Sequence, residues 1–179
     1  MLKRVRQFVR AVTAKIRPQD IVYVRRHLSA AGQELFWRMA LYDQRHALNV
    51  AYTAEKLARE KNFSSAELNF LLRCALLHDV GKQHGDMGIS GKIAAVLADK
   101  VAPRTAQKFA RAEGNFTCSI LRRWRRILRV YYEHPTIGAA KLVAVNLTAE
   151  AAVIRRHHAP ATPVDSPTLT LLRQADEFN

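Results

Sequence analysis

Cysteine is almost missing from this chain: only Cys74 and Cys118 occur among 179 residues, and they form no CxxC-type pair. That excludes a disulfide framework and a zinc ribbon, and leaves two buried free thiols as the expectation. Glycine is scarce at seven residues, and alternating β-branched runs joined by hairpin turns do not occur, which argues against a β-rich fold. No apolar run reaches the roughly 20 residues needed to cross a bilayer. The opening MLKRVRQFVRAVTAKIR has charge throughout and so lacks the apolar stretch and cleavage site of a secretory signal. A reducing cytoplasm is the expected compartment. Acidic residues are also few, 15 against 29 lysines and arginines, and the resulting charge of +14 favours an anionic partner. A phosphorylated small molecule, nucleic acid and an acidic membrane surface all qualify.

What the chain has in abundance is apolar residues at three- and four-residue intervals, which predicts an all-α, compact multi-helix fold. The pattern places helices over 2–16, 19–38 with a break near Ser29, 43–61, 65–80, 89–101, 104–112, 117–131, 135–146, 149–158 and 167–177. Ser64-Ser65-Ala66-Glu67 reads as a capping box, Thr148 as an N-cap, and Ser166-Pro167 as a cap followed by proline at the first helical position. Gly81 should end the helix carrying His78 and Asp79, and Pro160 and Pro163 the one carrying His157 and His158. The expected organisation is a basic helical extension over 1–38, then a domain over 39–179 with an insertion around 84–130.

Spacing aims several ionisable side chains inward. His46 lies one turn before Val50, at the edge of the apolar face of its helix. The segment from Leu68 to Val80 is apolar nearly all round, and Asp79 follows Ala75 by four and Leu72 by seven. A carboxylate there needs a cation, because an unpaired buried charge costs several kcal/mol. Asp176 follows Leu172 and Leu169 by the same intervals, and His158 follows Ile154 and Ala151. Taken singly, each has an ordinary alternative as a hydrogen-bonded core residue or a solvated helix end. Four helices aiming metal-type ligands at one interior are harder to explain that way.

The order of motifs resembles the HD superfamily of metal-dependent phosphohydrolases. It reads Arg45-His46, His78-Asp79-Val80-Gly81-Lys82, Glu133-His134-Pro135-Thr136-Ile137-Gly138-Ala139, His157-His158 and Gln174-Ala175-Asp176, over about residues 43 to 177. The nearest functional analogues are the bimetal members that cleave cyclic dinucleotides, including the HD-GYP phosphodiesterases and the cyclic di-AMP hydrolases. The resemblance implies that His46, His78, Asp79 and Asp176 hold one metal and His134, His157 and His158 a second, with Asp79 bridging. It implies two divalent ions, Mn²⁺ or Fe²⁺, whose bridging hydroxide cleaves a phosphomonoester or phosphodiester bond in a nucleotide or cyclic dinucleotide. Asp79 and Lys82 would then be catalytic, with Lys82 and, more weakly, Arg45 contacting phosphate. Where the HD-GYP group carries HHExxDGxGYP, this chain has His157-His158-Ala159-Pro160-Ala161-Thr162-Pro163-Val164-Asp165, so the GYP signature and its glutamate are missing.

Two basic segments stand outside the motifs. Residues 2–16 combine a narrow apolar stripe with Lys3, Arg4, Arg6, Arg10 and Lys15, suited to an acidic membrane or to docking on the domain. Between Leu121 and Arg129, five arginines surround Trp124, and they would funnel a polyphosphate, bind nucleic acid backbone or only solubilise the surface. Two other readings follow: a non-catalytic, metal-stabilised helical protein that binds nucleic acid or acidic membrane through basic faces, and a two-iron oxygenase.

Overall fold

The computed structural model describes residues 14–113 and 117–179, all of whose regular structure is helical. The expected helix over 2–16 lies mostly outside the described residues. The helices are α1 (Pro18–His27), α2 (Ala30–Trp37), α3 (Leu41–Glu60), α4 (Ser65–Leu77), α5 (Ile89–Val101), α6 (Pro103–Arg111), α7 (Ser119–Ala144), α8 (Thr148–Arg155) and α9 (Pro167–Phe178).

Helix α4 is the axis of the fold. Its Leu71, Leu72, Cys74, Ala75, Leu76 and Leu77 are all buried, as a helix that is apolar nearly all round must be. It packs against α3, α8 and α9, which add Ala47, Ala51, Ala54, Ile154, Leu171 and Leu172 to one core. Local chemistry sets one end of each of several helices. Ser64 and Glu67 form the expected capping box at the start of α4, and Ser166 caps α9 with Pro167 behind it. Asn62 and Asn146, at φ of 55° and 62°, close α3 and α7, the following N–H groups reaching back to Ala58 and Leu142. Thr148 is the first helical residue of α8 rather than its cap, that place being taken by Leu147.

A second, smaller core covers much of the segment expected as an insertion. Met87, Ala95, Ala106 and Ala110 pack against Ile127, Leu128 and Val130 on the first half of α7. The second half of α7 buries Ala139 and Leu142 in the main core. This double role corrects the expected break between 131 and 135: α7 runs through Pro135, with buried faces on both sides of it. Of the two thiols expected to be buried, Cys74 is buried but Cys118 is exposed.

Candidate metal centre

Histidines and carboxylates from five parts of the chain meet at one end of α4. His46 comes from α3, His78 and Asp79 from the turn after α4, His134 from α7, His157 and His158 from the turn after α8, and Asp176 from α9. Ligand atoms of His46, His78 and Asp79 lie within 4.8 Å of one another, and so do those of His134, His157 and His158. Asp79 stands between the trios: Oδ2 is 3.5 Å from His78 Nε2 and Oδ1 is 3.4 Å from His134 Nε2. Asp176 Oδ1 lies 2.9 Å from His46 Nε2 and 3.8 Å from His78 Nε2.

The helices stop where the site needs them to. Expected to continue to residues 80 and 158, α4 and α8 end at Leu77 and Arg155. In each case a histidine side chain donates to a carbonyl of the last helical turn: His78 Nδ1 to Ala75 O at 2.8 Å and His157 Nδ1 to Ile154 O at 2.7 Å, where the His157 N–H also donates at 3.3 Å. His134 uses a third version of the device. Pro135 has no N–H for the carbonyl of Tyr131, and His134 Nδ1 donates to that oxygen at 3.0 Å. Because a carbonyl only accepts, all three rings carry their proton on Nδ1. Their Nε2 lone pairs therefore point into the cluster, where all three atoms are buried without a hydrogen-bond partner.

The electrostatics agree with that arrangement. Burial pushes His157 down to about 3 and His134 well below the usual imidazole range, so both are neutral and ligand-ready at pH 7. Burial alone would raise Asp79, but the Lys82 ammonium beside it outweighs that and keeps the carboxylate ionised. His158, expected on the buried stripe, is the more exposed of its pair, since the helix ends before it and the neighbouring His157 takes the buried place.

Buried lone pairs facing an ionised carboxylate are a donor set in want of cations, and they fit divalent transition metals. A family model described as HD domain matches residues 44–179. The chain belongs to the HD domain family. No curated protein and no solved structure matches it. HD domains are generally metal-dependent phosphohydrolases, and the matched stretch contains every ligand-type residue of this cluster.

Of the remaining expected residues, Lys82 reaches the HD cluster and Arg45 does not. Lys82 Nζ lies 2.7 Å from Asp79 Oδ1, and that contact keeps the ammonium charged although burial opposes it. Arg45 is spent on Asp20, its Nη1 at 2.8 Å from Oδ2 and its Nη2 at 3.3 Å from Oδ1, which ties α3 to α1. Being next to His46 on a helix turns its side chain about 100° from the ligand face.

Sequence reasoning missed the supports of the HD site. Lys141 Nζ donates to Val80 O at 3.0 Å, fixing the His78–Asp79 turn to α7. Arg173 donates to Arg156 O at 2.8 Å and His157 O at 3.2 Å while pairing with Asp165, which also accepts from Arg156 and Thr162. Contacts to backbone carbonyls leave no residue-type signal. Only the closeness of two arginines and an aspartate to the His157–His158 pair hinted at a network.

Proposed function

We propose that this HD domain hydrolyses a phosphomonoester or phosphodiester bond in a nucleotide or cyclic dinucleotide, using two divalent ions, Mn²⁺ or Fe²⁺. The observation that carries the reading is the place of Asp79, with one carboxylate oxygen toward His78 and the other toward His134. His46, His78, Asp79 and Asp176 would hold one ion; His134, His157 and His158, with Asp79 shared, would hold the other. Imidazoles mixed with carboxylates suit Mn²⁺ or Fe²⁺ better than the all-oxygen shells of Mg²⁺ or Ca²⁺. Two such cations would supply Lewis acidity toward water and toward the phosphoryl oxygens.

The chain's own groups do the rest. The Nδ1–carbonyl bonds hold three imidazoles in the tautomer and orientation that ligation needs, so little ordering is left for the moment of binding. Lys82, half-buried beside Asp79, offers a fixed positive charge to a phosphate oxygen. The net charge of +14 draws anionic substrates toward the protein.

The test is turnover of phosphomonoesters and cyclic dinucleotides by metal-loaded protein. Activity should vanish with a chelator, return with Mn²⁺ or Fe²⁺, and fall by roughly a hundredfold or more in Asp79→Ala. Full activity in that variant would overturn the mechanism.

A further inference from the structure

Helix α5 carries an apolar stripe that no described residue covers. Ile93, Leu97 and Val101 recur every four residues, and they are 44%, 54% and 82% exposed. The opposite face of α5 is the one that packs, through Ala95, on the small core. Helix α6 is built the same way, burying Ala106 and Ala110 in that core while Arg104, Lys108 and Arg111 stay exposed and line one shallow depression. Both outer faces therefore share the side of the hairpin turned away from α7. Lys100, three residues past Leu97 and seven past Ile93, brings an exposed positive charge onto the apolar stripe itself.

We propose that the α5–α6 hairpin docks this protein on an anionic lipid surface. The arrangement is that of an interfacial helix: an apolar stripe to enter the acyl boundary, and cations to meet the phosphates beside it, with Lys100 able to lay its stem along the apolar face. Between residues 87 and 131 the chain has ten lysines and arginines but only two acids, Asp99 and Glu113. Asp99 is turned toward α7, where Tyr131 and Tyr132 donate to it at 3.3 and 2.7 Å. The described residues contain no helix long and apolar enough to cross a membrane, so the contact is peripheral. A nucleic acid would satisfy the cations but leave the valine, leucine and isoleucine wet. A second copy would bring two like-charged hairpins together. Only a lipid surface with acidic headgroups matches both halves of the face.

The experiment is co-sedimentation of the full chain with vesicles of phosphatidylcholine alone and of phosphatidylcholine with phosphatidylglycerol. Binding is expected on the acidic vesicles, weak on the neutral ones, and reduced by salt. Ile93→Ser with Leu97→Ser, and separately Arg104→Gln with Lys108→Gln, should each weaken it roughly tenfold or more. Thermal melting should be unchanged, because all four side chains are exposed. Three outcomes would overturn the proposal. One is absent or equal binding on the two vesicles, and another is binding that survives both variant pairs and so belongs to other basic segments. The third is gel filtration showing a dimer that Leu97→Ser disperses, or RNA binding lost only in the arginine and lysine variants without any vesicle binding.

Discussion

Gly81 lies so close to His134 that a methyl group on its α-carbon would sit 2.0 Å from the His134 carbonyl oxygen. Gly138, one turn further along α7, accepts the same close approach from the other side, its own added methyl falling 3.1 Å from Gly81 N. The two glycines let the turn bearing His78 and Asp79 rest directly on the helix bearing His134, which brings the two halves of the metal cluster together. Gly81→Ala should therefore cost about 3 kcal/mol or more in stability, whereas Gly88→Ala, with open space around it, should stay within about 0.5 kcal/mol. Urea unfolding of both variants checks this.

Arg173→Gln should act on one metal and spare the other. Its guanidinium holds the carbonyls of Arg156 and His157, next to the ligands of the His134 side of the cluster. Affinity for the second ion is expected to fall roughly 10- to 100-fold, with the first unaffected. Calorimetric titration of metal into the variant distinguishes this from a general loss of folding, which would remove both.

Lys82→Met should leave both ions bound and lower kcat by roughly 10- to 100-fold, as expected for losing one fixed charge near the phosphoryl group. Metal analysis alongside kinetics reads the difference. Loss of metal instead would make Lys82 a structural partner of Asp79 only.

Asp20 predicts a definite acid sensitivity. Burial raises its carboxyl, but the Arg17 N–H, the Tyr52 hydroxyl and Arg45 outweigh it, and the folded-state value is lowered. A lowered carboxyl contributes stability that is complete above the unfolded value of about 3.9 and is lost as pH falls through the folded one. Asp20→Asn should thus cost roughly 2–3 kcal/mol at pH 7. Its deficit should shrink as pH drops below about 4, and melting curves of both proteins between neutral and strongly acid pH test the sign.

The parts legible in the sequence were those in which one residue type at one spacing had a single physical outcome. Ser64 and Glu67, Ser166 and Pro167, and the buried run from Leu71 to Leu77 behave as their local chemistry dictates. The convergence of His46, Asp79 and Asp176 followed from periodicity, and the HD motifs grouped them with His134, His157 and His158. What spacing could not supply was where helices yield to the site. His78 and His157 donate to carbonyls in the last turns of α4 and α8, while His134 donates to the carbonyl that Pro135 leaves without its helical N–H. Spacing also could not supply the pairing of Arg45 with Asp20 on a different helix, a tertiary contact that no local pattern announces.

The central claim is that this cluster holds two ions sharing Asp79, and metal content per folded chain tests it most directly. Protein loaded with Mn²⁺ or Fe²⁺, desalted and analysed by elemental mass spectrometry, should carry two ions per chain, and Asp79→Ala, shown folded by circular dichroism, should lose both or keep only weakly held metal. Wild-type protein without bound transition metal, or Asp79→Ala with an undiminished pair, would contradict it.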